Sequence, residues 1–134
     1  MSLEDIPEIV LLANENLLES ISDITKEKYF RGKFIVLEPE RRKPILVAGF
    51  NCDQHLRVLT NFQRWVERVH RITHDDCYDL FGKPTGGGYL FILSSKIELS
   101  QESKDFGKYN PEIVRPIIER YRDSKLLGLD IILE

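Results

Sequence analysis

Residues 45–72 read ILVAGFNCDQHLRVLTNFQRWVERVHRI and combine a strand pattern with a helix pattern. Residues 45–50 form a short apolar run, which is typical of a buried strand. From residue 55 onward the apolar residues recur every three or four positions, which predicts a helix with one buried face. Asp53, or alternatively Asn51, is the expected N-cap of that helix. The predicted apolar stripe contains Leu56, Leu59, Phe62, Val66, Val69 and Ile72.

Outward from this stretch, the chain alternates between strand and helix patterns. Residues 33–37, 89–93, 97–100 and 127–133 read as strands, and the second and third of these are expected to form a hairpin. Apolar spacing of three and four predicts an N-terminal helix over residues 5–23. Asn110-Pro111 opens another helix by cap and first-turn proline, and Pro116 should bend it or shift its start. Residues 75–84 are predicted to be turn-rich.

These elements predict an α/β (α+β) fold with a single mixed sheet of about five to six strands and helices packed on it. The chain of 134 residues is expected to be a single domain, 1–134, long enough to bury a core. Within it, the N-terminal helix 5–23 is an addition to a core of residues 30–134.

Bulk composition narrows the function classes. The net charge is −3, so the basic excess of a typical nucleic-acid binder is missing. Because no apolar run approaches about 18 residues, neither a membrane span nor a membrane partner is expected. Two cysteines are too few for a disulfide scaffold, which favours a reduced, cytoplasmic setting.

His55 is the leading candidate for a catalytic residue. It lies at the predicted start of a helix, where backbone N–H groups are unpaired and the helix dipole is positive. That environment lowers the pKa of an imidazole and favours the neutral ring needed for a nucleophile or general base. The alternative is a partly buried histidine that hydrogen-bonds a neighbour.

Two later segments carry candidate anion-binding groups. Gly86, Gly87 and Gly88 either give flexibility where a loop enters a strand or allow the backbone to approach a ligand or the His55 helix. Residues 103–107, SKDFG, are either an ordinary strand-to-helix connection or a concave run of N–H donors for an anion. Lys33 is either a solvated strand-end lysine or a positive charge for the same anion.

The spacing of the histidines and cysteines also suggests two alternatives, a metal site and a thiolate nucleophile. Cys52-x2-His55 and His70-x3-His74-x2-Cys77 look ligand-like, but about 22 Å of helix separates His55 from His70, so these residues cannot share one metal. The trio of His70, His74 and Cys77 is either a local site or a solvated helix end. Cys52 paired with His55 is a further possible nucleophile. We predict no metal and no cofactor.

Several of these landmarks, in this order, resemble the phosphohistidine phosphatase (Janus) family from about residue 32 to the C-terminus. Residues 33–37 look like its first strand, which begins with a basic residue, and residues 53–55 look like the segment that carries its active histidine. The glycines 86–88 are similar to its triple-glycine turn, and residues 96–99 with 103–107 are similar to its phosphate-loop region. Tyr89 and residues 47–48 stand where the family commonly has arginines, and Asp105 stands where a small residue is common.

The resemblance implies a metal-free phosphatase that removes phosphate from phosphorylated histidine in proteins. Carried over residue by residue, His55 is the nucleophile or general base. The implied phosphate-binding residues are Lys33, Ser103, Lys104 and Asp105, and the implied structural glycines are Gly86, Gly87, Gly88 and Gly107.

Two other functions stay open from the sequence. A catalytically silent member of the family would bind a protein partner or an anionic ligand in the same cleft, as the missing arginines favour. A small acidic interaction domain would instead form a homodimer through the helix at 5–23.

Overall fold

The computed structural model describes residues 6–18, 30–93, 95–125 and 128–134. In these ranges seven strands form one mixed sheet, against which three helices pack. The strands are β1 (Ile9–Ala13), β2 (Asn16–Leu17), β3 (Phe30–Leu37), β4 (Ile45–Phe50), β5 (Gly86–Ile92), β6 (Lys96–Ser100) and β7 (Asp130–Leu133). The helices are α1 (His55–His70), α2 (His74–Phe81) and α3 (Pro111–Lys125). The predicted fold class is confirmed, with seven strands rather than five or six.

The sheet order is β2-β1-β4-β3-β5-β6-β7. β1 runs parallel to β4, and β7 runs parallel to β6, while the other neighbouring pairs are antiparallel. The predicted hairpin is confirmed as β5 and β6, with Leu90 opposite Leu99. Among the described residues, no helix is both long enough and apolar enough to cross a bilayer.

Each face of the sheet carries its own core layer. Ile35 and Val47 belong to the layer beneath α1 and α2, whereas Phe34 and Ala48 belong to the layer beneath α3. Successive side chains of a strand point to opposite faces, so β3 and β4 must be apolar at consecutive positions to fill both layers. This requirement explains the unbroken apolar run at residues 45–50.

The predicted N-terminal helix is wrong for the part of it that is described. Residues 9–13 form β1, and β2 folds back on it through a two-residue turn in which Asn14 has a φ of 54°. The three-and-four spacing does not indicate a helix here, because the positions between its members, Leu11 and Leu12, are also apolar and buried. Leu12 joins the core layer on the α1 side of the sheet, and Leu11 joins the layer on the α3 side. A run that is buried on both faces suits an inner strand. The remainder of the prediction, residues 19–23, lies outside the described residues.

The start of α1 at His55 is confirmed, but its predicted caps are wrong. Gln54 is the N-cap residue, and its side chain makes no capping hydrogen bond. Asn51 instead takes a φ of 52° just after β4. The apolar stripe is also shifted, since Leu56 and Val69 are exposed. The apolar side chains that α1 buries are Val58, Leu59, Phe62, Trp65 and Val66.

The region predicted to be turn-rich contains the helix α2. Thr73 caps it by accepting a hydrogen bond from the Asp76 amide at 3.2 Å, and Phe81 is buried while Tyr78 and Leu80 are exposed. The start of α3 is as predicted, because Asn110 Oδ1 accepts from the Glu112 amide at 2.9 Å. The helix continues through Pro116.

Candidate functional site

A large cavity lies beside the start of α1. It has a volume of about 930 Å³ and is open to solvent. Its walls come from β3, β5, the first turn of α1 and the segment after β6. The residues that line it are Lys33, Asp53, Gln54, His55, Leu56, Tyr89, Gln101, Glu102, Lys104, Asp105 and Lys108.

His55 lies in the wall of this cavity, with only 4% of its surface exposed. Its Nε2 is 2.9 Å from the carbonyl oxygen of Gly88 in β5. A carbonyl oxygen can only accept a hydrogen bond, so Nε2 carries the hydrogen in this arrangement. The lone pair of the neutral ring is therefore on Nδ1, which has no hydrogen-bond partner in the described part of the chain. Nδ1 is the nitrogen available to a ligand.

Burial lowers the pKa of His55, because desolvation disfavours the charged imidazolium. The bond to the Gly88 carbonyl opposes this effect, the positive charge of Lys33 adds to it, and the negative charge of Asp105 opposes it. The lowered pKa that the sequence suggested is found, although burial rather than the helix dipole is its largest cause. His55 is consequently neutral at pH 7.

The three glycines hold the site together by allowing close approach. A Cβ built on Gly87 would lie 2.5 Å from the Phe34 carbonyl oxygen, 3.2 Å from Cδ2 of His55 and 3.3 Å from Cβ of Ser103. The His55 ring and the Ser103 side chain therefore both pack against the same point of β5. These distances fit the interpretation in which the glycines allow close approach of the backbone, rather than the one in which they give flexibility to a loop.

The segment 103–107 closes on itself. The Ser103 amide donates to the Gly107 carbonyl, and the Gly107 amide donates back to the Ser103 carbonyl. Ser103 Oγ accepts from the amides of Asp105 at 3.2 Å and Phe106 at 3.0 Å. Ser103 is buried, so its hydroxyl shapes the loop from inside, and the Asp105 amide points at this hydroxyl. The Lys104 amide has no acceptor among the described residues and is the free donor of this loop.

Lys33 is held firmly at the cavity wall. Its ammonium donates to the carbonyl oxygen of Asp53 and lies 5.2 Å from the ring centroid of Tyr89. Tyr89 is its cross-strand neighbour and also lies beside His55, with 6.1 Å between ring centroids. Lys33 and His55 thus face one cavity across a shared aromatic side chain.

The charges around the cavity are mixed. Three lysines line it, Lys33, Lys104 and Lys108, and Lys108 donates to the carbonyl oxygen of Glu134. The carboxyl-bearing side chains that line it are Asp53, Glu102 and Asp105. The first turn of α1 adds positive character, because no side chain caps it and its leading amides lack intrahelical acceptors.

The structure thus brings together most of the site residues suggested by the sequence. His55, Lys33, Lys104 and Asp105 line one cavity, whereas Ser103 and Gly87 lie beneath it. Gly86 packs against the backbone of Lys108 and Tyr109, and Gly88 packs against the Ser100 carbonyl. Gly107 has a φ of 85° and closes the loop. Sequence reasoning missed Tyr89 as a wall of the site, since its neighbours depend on the register of β3 and β5.

The alternative nucleophile and the alternative metal ligands lie elsewhere. Cys52 does not line the cavity and donates to the Gln54 carbonyl at 3.4 Å. Burial raises the pKa of the Cys77 thiol to about 12, so it stays protonated and is a poor metal ligand. The His74 ring packs edge-to-face with the Tyr78 ring, with 5.2 Å between centroids. Over the described ranges, no group of three or more His, Cys, Asp or Glu side chains is arranged to hold a metal ion.

The chain matches no model of a known protein family and no curated protein. The case for a function therefore depends on the geometry of the cavity around His55.

Proposed function

We propose that this protein is a metal-free hydrolase that removes phosphate from phosphorylated histidine in proteins. The observation that carries the proposal is the state of His55: a neutral imidazole, anchored through Nε2 to Gly88, with the Nδ1 lone pair free beside Lys33 in an open cavity. A phosphoryl group needs positive charge around its oxygens and a base or nucleophile at phosphorus. The cavity offers both.

Lys33, Lys104 and the uncapped first turn of α1 would hold the phosphoryl oxygens. Lys33 is suited to this role because the Asp53 carbonyl and the Tyr89 ring fix its position. Lys104 adds its ammonium group and its free backbone amide. Preorganised donors of this kind stabilise charge that develops during the reaction, since they do not have to reorient.

As a general base, His55 would take a proton from water through Nδ1 while the water oxygen attacks phosphorus. The P–N bond breaks, its electron pair goes to the nitrogen of the leaving imidazole, that nitrogen then takes the proton back from Nδ1 of His55, and inorganic phosphate is released. The transient imidazolium of His55 keeps its Nε2–H bond to Gly88, whose carbonyl dipole stabilises the positive charge. As a nucleophile, Nδ1 would instead attack phosphorus itself and form a phosphorylated His55, which water then hydrolyses.

The test is phosphate release from a small protein phosphorylated on histidine. We expect His55→Asn to lower the rate about 100- to 10,000-fold, which is the usual contribution of general acid–base catalysis. His74→Asn is the matched control, because His74 is exposed, does not line the cavity and should leave the rate unchanged. A wild-type protein that releases phosphate no faster than His55→Asn would overturn the proposal. Phosphohistidine does not survive acid. The nucleophile route is therefore tested by quenching the reaction in alkali and detecting phosphorylated His55 by mass spectrometry.

A second function, binding without catalysis, is favoured by a specific feature of the loop. The amides of Asp105 and Phe106 are already bonded to Ser103, and no arginine is among the residues that line the cavity. A phosphoryl dianion would thus lack bidentate guanidinium contacts, which are the strong ones. In that case the protein would bind a phosphorylated partner in this cavity, and His55→Asn would change affinity rather than turnover. A cytoplasmic setting is part of the proposal. It is supported by the two cysteines, which are both free thiols.

A further inference from the structure

A second, smaller cavity adjoins the proposed active site. It has a volume of about 260 Å³ and shares Lys33, Asp53 and Tyr89 with the His55 cavity as a common wall. Beyond that wall it is lined by Arg31, Cys52 and Phe91, among others. The two cavities therefore adjoin across the wall formed by these three residues.

This second cavity lies on a part of the sheet that no described helix covers. The core layer beneath α1 and α2 takes its strand residues from β1, β3 and β4, and none from β5, β6 or β7. On that same face a row of cross-strand neighbours runs from Arg31 through Phe91 and Glu98 to Ile132. Phe91 is half-buried and Ile132 is 36% exposed. Within the described part of the chain, no helix therefore covers the apolar surface at Phe91 beside the site.

The spacing of the two cavities matches that of an extended peptide. Tyr89 and Phe91 are two residues apart on β5, so they share a face and lie about 7 Å apart along the strand. In an extended polypeptide, side chains two positions apart are also about 7 Å apart on one side. A peptide that lies along β5 and sends its phosphorylated side chain into the His55 cavity beside Tyr89 would place the side chain two positions away at Phe91.

We propose that the cavity at Phe91 is a specificity subsite that takes a large apolar side chain two residues from the phosphorylated histidine. This inference rests on the proposed function, because it assumes that the phosphorylated residue enters the His55 cavity. Burial of a leucine side chain there should strengthen binding about tenfold, a fraction of the full effect of removing such a side chain from water.

The experiment measures binding of fluorescent peptides that carry a hydrolysis-resistant phosphonate analogue of phosphohistidine. One peptide has glycine at both the −2 and +2 positions, and two others have leucine at one of them. We expect one leucine peptide to bind wild-type protein about tenfold more tightly than the glycine peptide. Phe91→Thr should abolish this preference, whereas Ile132→Thr, on the same face but outside both cavities, should retain it.

Equal binding of all three peptides to the wild-type protein would overturn the subsite, and this comparison needs no variant to fold. Retention of the leucine preference in a folded Phe91→Thr protein would overturn its assignment to Phe91. Hydrolysis of phosphoramidate, a small P–N compound with no peptide, is measured in parallel. Absence of that hydrolysis would count against the proposed enzyme, while the binding comparison would still decide the subsite.

Discussion

Gly87→Ala tests whether close packing on β5 brings His55 and Ser103 together. The added methyl would lie 2.5 Å from the Phe34 carbonyl oxygen, which is backbone of the central strand β3 and cannot move without disturbing the sheet. Its other two neighbours, Cδ2 of His55 at 3.2 Å and Cβ of Ser103 at 3.3 Å, would have to shift by a few tenths of an ångström. Overpacking of this kind typically costs about 1–3 kcal/mol. Because a backbone atom is the closest contact, we expect the upper part of that range.

The assay is urea unfolding followed by circular dichroism, together with phosphate release from the phosphorylated protein. Gly87→Ala should lower the free energy of unfolding by about 2–3 kcal/mol and, in the folded fraction, lower turnover, because the His55 ring is displaced from Gly88. Gly82→Ala is the contrasting control for turnover. Its Cβ would meet open space, but a φ of 70° with a ψ of −164° is a region that essentially only glycine adopts, so backbone strain of about 1–3 kcal/mol is expected with turnover unchanged. A Gly87→Ala protein as stable and as active as wild type would refute the packing argument.

Since the pKa of His55 is lowered in the folded protein, the unfolded chain binds this proton first as the pH falls below about 6.5. The free energy of unfolding should therefore decrease with falling pH down to the folded pKa of His55 and then stop changing on its account. In a matched series of urea titrations, the His55→Asn protein should lack this pH-dependent loss of stability. Identical pH profiles of the unfolding free energy for the wild-type and His55→Asn proteins would contradict the prediction. In the native protein at pH 8, iodoacetamide should modify the partly exposed Cys52 and leave Cys77 unmodified, because the pKa of Cys77 is about 12. Peptide mass spectrometry reads the two sites separately, and early labelling of Cys77 would show that its burial is wrong.

Local signals made the middle of the chain predictable. Residues 45–50 and the helix that starts at His55 follow from apolar patterning alone, and Asn110 caps α3 as its side chain suggested. The N-terminal segment failed because Ile9 to Leu12 is apolar at every position, and a fully buried strand cannot be told from a buried helix segment by periodicity. The capping signal for α2 is Thr73 followed closely by two aspartates, and it marks the helix start where apolar patterning is weak.

The candidate site was predictable in its residues but not in its hydrogen bonds. His55 and Lys33 line one cavity, as their positions at the start of a helix and on a strand suggested. The loop amides could not be assigned from sequence, since a serine hydroxyl competes with any ligand for the N–H groups two and three residues later. The place of Tyr89 in the cavity wall depends on its pairing with Lys33 across β3 and β5, and no local sequence pattern encodes that pairing.

The proposed function depends on a neutral His55 ring, with its hydrogen on Nε2 and a free lone pair on Nδ1 beside the cavity. Long-range ¹H–¹⁵N NMR correlation of the imidazole reads the protonation of each nitrogen directly. We expect a protonated Nε2 and an unprotonated Nδ1 at pH 7, a pKa of His55 that burial holds below that of a free imidazole, and a shift of the Nδ1 resonance when inorganic phosphate is added. A ring that is protonated on Nδ1 at pH 7, or whose Nδ1 resonance does not respond to phosphate, would contradict it.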